Sequence, residues 1–179
     1  MNAKKLMKQA AYECVSQQFV EKVTLRDILA RAEVSKQTFY RYYTDKYDLM
    51  NAIYAELTQE GIICPSNIKN SADWHAMYLK QFGIFREHLD FIKHLYRSKE
   101  TGCTTDYEVE QTIRFDKAYL KQRGVDITDS RILFAIEAKD VGGTYMMRNW
   151  ILGGMQVSDE EMVTRFQLIM PQILVPYFT

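Results

Sequence analysis

Between Thr24 and Tyr43 the chain starts a helix twice, at Thr24 and again at Ser35, and this spacing restricts the fold more than any other feature. Thr24-Leu25-Arg26-Asp27 has the form in which a hydroxyl caps an N-terminus and an acid three residues on reaches back to the cap. Ser35 offers a second cap, so a helix over 25–32 ends, turns within Glu33-Val34-Ser35 and restarts at Lys36. Leu25, Ile28, Leu29 and Ala32 give the first helix one apolar face, and Val34 is read as the buried turn residue that fixes the crossing angle. In the second helix, over Lys36–Tyr42, Phe39 and Tyr43 stand one turn apart and pack inward. Lys36, Gln37, Thr38, Tyr40, Arg41 and Tyr42 are then left on the other side, a set of hydrogen-bonding groups that packing does not require. Two short helices, a tight turn and one outward polar face have the dimensions of a helix-turn-helix that reads a DNA groove. A plain αα-hairpin has no use for such a cluster.

The flanking sequence supports this pair. From Lys4 to Phe19 the residues Met7, Ala10, Ala11, Cys14, Val15 and Phe19 recur at helical spacing, which predicts an amphipathic first helix. Thr44 is the expected cap of a fourth helix, with Asp45 and Asp48 in its first turn, where acids suit the helix dipole. Leu49, Ile53 and Leu57 carry that helix to Gly61. Cys64-Pro65-Ser66-Asn67 and the polar stretch to Ser71 then break the pattern, dividing the chain into a head over 1–60 and a body over 61–179.

The body reads as helical throughout. Ala72 to Ser98 is amphipathic and aromatic, with a bend predicted near Glu87–Asp90. Thr105-x-x-Glu108 opens a helix that Gly124 closes, and Thr128 or Asp129 opens a long one that ends at Gly153-Gly154. Ser158-x-x-Glu161 forms a capping box for the last helix, which Pro171 and Pro176 are expected to kink or fray. With only 8 Gly and 3 Pro, turn-rich β folds are poorly supplied, and the fold class is all-α. The architecture expected is a three-helix head with a helix-turn-helix, joined by a fourth helix to a larger helical domain.

The segment from Thr24 to Leu49, TLRDILARAEVSKQTFYRYYTDKYDL, resembles the DNA-binding signature of the TetR family of bacterial regulators. The resemblance fixes helix lengths, turn, recognition helix and the Lys at the start of the fourth helix together. It implies that Tyr40 places its hydroxyl on a phosphate, that Thr38 contacts backbone or base, and that Tyr42 makes a further phosphate contact where relatives often have His. Lys36 and Gln37, exposed at the start of the recognition helix after Ser35, are the candidates for base edges, with Arg41 on the same side. Thr24 and Lys46 would hold phosphate at helix N-termini. Two departures stand out. Glu33 replaces a frequent Gly in the turn, at roughly 1 kcal/mol if that position is left-handed. Gln37 also replaces a frequent Gly and puts a longer side chain at the DNA surface.

Charge and thiols agree with an intracellular regulator. The chain is neutral overall, but residues 1–50 carry nine Lys/Arg against six Asp/Glu, and the remainder carries 14 against 17. A basic head on an acidic body is the polarity expected when only the head meets phosphates. Cys14, Cys64 and Cys103 are widely spaced with no CxxC, which reads as reduced thiols, so neither a disulfide framework nor a zinc site is expected. There is no apolar signal segment and no run long enough to span a membrane, so a soluble bacterial cytoplasmic protein is expected. No nucleophile elbow, P-loop, HExxH or GxGxxG is present, so no enzyme activity and no cofactor are expected. His88, Asp90 and His94 are read as solvated helix residues, with no metal bound.

A single recognition helix reads few base pairs, so a homodimer on a palindromic operator follows. The resemblance implies that the last two long helices pair with their mates. Met162, Phe166, Ile169 and Ile173 step by 4, 3 and 4 as a packing seam, and Gly142 would let a partner backbone approach beside Tyr145. Relatives commonly hold a small-molecule effector in the body. Trp74, Tyr78, Phe82 and Phe85 from one stretch, with Phe115, Tyr119, Met146 and Trp150 from later ones, are candidates to line such a pocket, and equally to be plain core. The leading expectation is a ligand-responsive repressor. The alternatives are a coactivator or adaptor of the same fold acting through a protein partner, and a helical small-molecule binding protein with a vestigial head.

Overall fold

The computed structural model describes residues 2–59, 61–62 and 64–178. Among them the chain forms only helices, in the order α1 (Ala3–Gln17), α2 (Leu25–Ala32), α3 (Lys36–Tyr40), α4 (Lys46–Gln59), α5 (Ser71–Glu87), α6 (Leu89–Tyr96), α7 (Thr104–Gln122), α8 (Ser130–Leu152), α9 (Asp159–Leu168) and α10 (Val175–Phe178), with a 3-10 turn at Pro65–Asn67. They sort into two compact units, Met1–Gln59 with Glu87–Tyr107, and Glu60–Arg86 with Glu108–Thr179. Thus α6 groups with α1–α4, and α7 gives its first turn to one unit and the rest to the other.

In the first unit Met7, Ala10, Ala11 and Val15 form the buried stripe of α1, whose small alanines let α2, α4 and α6 pack closely around it. Helix α6 adds Phe91, Ile92, Leu95 and Tyr96 to this core. His88 and His94, expected in solvent, are instead half-buried pins against α1. Tyr12 OH lies 2.9 Å from His88 Nδ1, and His94 Nδ1 donates to the Val15 carbonyl at 2.5 Å. No short-range pattern predicts these contacts, because the partners are more than seventy positions apart in the chain. The cap of α4 also differs from expectation. Asp45 Oδ1 accepts from Asp48 N at 2.9 Å, while Asp48 Oδ2 accepts from Thr44 N at 2.9 Å and from its hydroxyl at 3.3 Å, so Asp45 supplies the capping oxygen and Thr44 is the residue that Asp48 reaches back to.

The second unit is built on rings. Ile68, Trp74, Tyr119, Leu120, Ile132, Ile136, Leu174 and Phe178 form one buried cluster, and Phe82, Phe85, Trp150, Met162 and Val163 are buried as well. The break predicted between Glu87 and Asp90 falls at His88, which leaves helical geometry between α5 and α6. Gly124, at φ +74°, closes α7, and Asp129 caps α8 by accepting from Arg131 N at 2.8 Å. Ser158 caps α9, but that helix stops at Leu168 because the chain ahead of Pro171 is pushed out of helical geometry. The seam expected from Met162 to Ile173 is therefore broken: Ile173 sits in the turn before α10 and Met162 is buried in the core.

Candidate nucleic-acid interface

Local geometry builds the helix-turn-helix from its caps outward. Thr24 Oγ1 accepts from Asp27 N at 3.2 Å, and Asp27 Oδ2 accepts from Thr24 N at 3.1 Å and from its hydroxyl at 2.6 Å, a complete capping box that holds the Asp27 carboxyl below its ordinary pKa. Ile28 and Ala32 are the buried positions of α2, with Leu25 and Leu29 half-buried at its edges. The turn residue Glu33 is left-handed (φ 53°, ψ 39°), and Val34 N donates to Leu29 O at 3.2 Å, a Schellman closure with Glu where glycine is least strained. Val34 is half-buried, so the left-handed closure shares with it the work of setting the turn.

Helix α3 is shorter than expected, five residues, with Tyr42 and Tyr43 continuing it as a turn through bonds to the Phe39 carbonyl. Ser35 Oγ accepts from Thr38 N at 3.1 Å and lies 2.9 Å from Thr38 Oγ1, so both hydroxyls belong to the cap and Thr38 is half-buried. Phe39 is fully buried, with ring centroids 5.3 Å from Tyr40 and 5.7 Å from Tyr43. Burial, then the charges of Asp48 and Glu56, push the Tyr43 phenol up to about 12, which keeps it neutral. Anchored this way, α3 turns Lys36, Gln37, Tyr40, Arg41 and Tyr42 to solvent, with Tyr40 53% and Tyr42 43% exposed. Lys36 Nζ lies 5.8 Å from the centre of the Tyr40 ring.

Lys46 is used differently from what its position suggested. Its Nζ donates to Val20 O at 2.8 Å and to Val23 O at 3.0 Å, tying the first turn of α4 to the connection between α1 and α2. Burial pulls its pKa below the ordinary lysine value, with Glu21, Glu100 and Asp45 opposing. Sequence reasoning missed this clip because its acceptors are backbone carbonyls, which no residue type advertises.

In the second unit the aromatic residues suggested as pocket lining touch one another. Trp74 lies 4.8 Å from Tyr119, 5.8 Å from Phe115 and 6.2 Å from Tyr78, and Phe82 lies 4.8 Å from Trp150 by ring centroids. Phe85 is buried, Met146 is half-buried, and Trp150 Nε1 donates to Val157 O at 2.9 Å. Phe166 is half-buried and stacks on Tyr78 at 5.1 Å, and Met162 is buried, so both of these expected dimer-face residues pack within the second unit. Gly143 faces Phe166, where an added Cβ would come within 3.4 Å of the ring, while Gly142 faces open space. The outward side of α8 carries Phe134, Val141, Gly142 and Tyr145, and Leu168, Ile169 and Ile173 are exposed at the end of α9 and beyond it. Phe134 and Leu168 are 73% and 79% exposed, unusual for side chains of this size. An open groove of about 400 Å³ beside Phe134 is lined by Arg131, Ala138, Pro171 and Ile173. No helix among the described residues is long and apolar enough to cross a membrane.

Comparison with known proteins covers both units. Residues 9–53 match the family described as bacterial regulatory proteins, tetR family, and residues 72–172 match a transcriptional regulator C-terminal region. Three solved structures share the fold at 17% identity. The dihydroxyacetone kinase operon activator DhaS has a TM-score of 0.61 over 97% of each chain. A TetR-family transcriptional regulator from Syntrophomonas wolfei scores 0.60 over 97% of this chain and 95% of its own. A TetR-like transcriptional regulator from Rhodococcus sp. RHA1 scores 0.54 over 97% and 96%. No curated protein sequence matches. TetR-family regulators are non-enzymatic transcription factors. With a signature that fills the head and a C-terminal match over more than half of its length, the chain belongs to the TetR family of bacterial transcriptional regulators.

Proposed function

We propose that the protein is a ligand-responsive repressor of the bacterial cytoplasm that binds a palindromic operator as a homodimer. The observation that carries this reading is the two-sidedness of α3: Phe39 is sealed inside while Lys36, Gln37, Tyr40, Arg41 and Tyr42 face outward together. A fold needs the first and has no structural use for the second. In the complex, α3 lies in the major groove with Lys36 aimed at guanine O6/N7 and Gln37 at adenine N6/N7, each contact worth about 1–3 kcal/mol of discrimination. Tyr40, Arg41, Tyr42 and the caps Thr24, Ser35 and Thr38 supply sequence-independent contacts that set register. Lys46 serves this surface as a strut behind it, through its bonds to Val20 O and Val23 O.

The apolar strip of Phe134, Val141 and Tyr145, continued by Ile169 and Ile173, supports pairing through α8 and α9, since exposed side chains of this kind on a soluble fold call for cover. An effector admitted among Trp74, Tyr78 and Phe82 would act by favouring one spacing of the two heads over another. Selection of bound duplexes from a random pool tests the reading. A two-fold symmetric motif, bound with an affinity that falls steeply as salt rises, is the expected result. Failure to enrich any duplex at low ionic strength overturns it.

One observation favours a second reading. The structural neighbour DhaS is described as an operon activator, and the same exposed strip suits a protein partner as well as a second copy. Under that reading the purified chain stays monomeric and selects no duplex alone.

A further inference from the structure

The second unit buries an ion cluster with unequal charge. Lys139 of α8 has its Nζ 2.6 Å from Asp116 Oδ2 of α7 and 2.5 Å from Asp140 Oδ1 beside it. Asp116 and Asp140 are each 3% exposed. Two carboxylates against one ammonium leave one negative charge over, held where water cannot reach it. Among the described residues, the phenol of Tyr78 from α5 is the other titratable group that acts on them, and α10 places the Phe178 ring 5.4 Å from Lys139 Nζ. Asp140 Oδ2 has no hydrogen-bond donor among the described residues, and Asp116 Oδ2 meets Lys139 Nζ as its counter-charge. Both carboxylates crowd the same Lys139 ammonium. A buried carboxylate in this condition neutralises itself where it can.

We propose that Asp140, buried against Lys139 and Asp116, keeps a proton in the folded chain, and that its release to solvent leaves a bare charge in the core, so that the second unit weakens as the pH rises from acid toward neutrality. The proposal needs no DNA contact and stands or falls apart from the operator reading.

The physical directions agree. Burial first, and then the charge of Asp116, push the Asp140 carboxyl up to about 7 against the pull of Lys139. Lys139 itself stays charged, because the two carboxylates raise it more than burial lowers it. Burial lifts the Tyr78 phenol to about 12, so it remains neutral throughout. The folded chain therefore keeps a proton that the unfolded chain, with an ordinary carboxyl near 3.9, has already lost. That stabilisation is complete below about pH 4 and is gone once the pH has risen through about 7.

Both tryptophans, Trp74 and Trp150, lie in the second unit, so their fluorescence reports its unfolding. Denaturant unfolding of the full chain and of Asp140→Asn should be compared from pH 5 to 8. Relative to the variant, the parent's unfolding constant should rise up to about tenfold per pH unit below about 7 and level off above it. A ratio of the two constants that does not change with pH overturns the proposal. Should Asp140→Asn fail to fold, the carbon-13 shift of the Asp140 carboxyl in the parent decides. A midpoint near 7 supports the retained proton, and a midpoint below 5 refutes it.

Discussion

The head and the body of this regulator use aromatic side chains to opposite ends. In the head, Phe39 and Tyr43 turn inward so that Lys36, Gln37 and Arg41 can turn outward, and the working surface is what packing leaves over. In the body, Trp74, Tyr78, Phe82, Tyr119, Trp150 and Phe178 turn toward one another, and the polar groups among them, such as Lys139 and Asp140, are trapped by the packing. Under the proposed reading, a five-residue helix is free to serve DNA because it has so little core duty. The body spends nearly every large ring on cohesion, so any specificity it has must come from the few polar groups enclosed.

Four measurements test this contrast. Phe82→Ala should destabilise the body by about 3–5 kcal/mol in denaturant unfolding followed by tryptophan fluorescence. A loss near zero would mean that the rings line an opening. Lys46→Met should lower the stability of the head by about 1–3 kcal/mol, since two partly buried carbonyls lose a charged donor. Hydrogen exchange at the start of α4 reads that loss, and unchanged protection there would demote the clip to a surface contact. Gln37→Ala should leave melting unchanged and remove about 1–3 kcal/mol of preference at a single operator position. If it weakens all duplexes alike, Gln37 contacts phosphate. Glu33→Gly should raise stability by about 1 kcal/mol by relieving the left-handed strain, the smallest of the four effects. A loss there would show that the Glu33 side chain makes a contact that outweighs the strain.

The same contrast explains what could be read from the sequence. The caps at Thr24 and Ser35 and the inward Phe39 were legible because each is decided within about four residues, whereas the left-handed turn at Glu33 entered only as a condition, through the Gly that relatives often carry there. The cap of α4 went to Asp45, whose carboxylate takes the Asp48 N–H, because Thr44 is itself engaged as a donor to Asp48. His88 and His94 looked like surface residues because their partners on α1 are distant in sequence. The 4-3-4 stepping from Met162 to Ile173 presumed one continuous helix, and Pro171 ends it too early for Ile173 to share a face with Met162. Composition announced that the body would be aromatic. It carried no information on which ring meets which, because that is settled by contacts between α5, α7 and α8.

The clip at Lys46 has a consequence for how the head tolerates change. Its acceptors are main-chain oxygens of residues 20 and 23, and every amino acid supplies one. Those two valines can be exchanged for other apolar residues without touching the brace, provided the loop keeps its path. The lysine has no such latitude. A family alignment scored by side-chain identity would thus find a constant cation facing variable positions and could mistake half of an internal bracket for a free anion-binding charge.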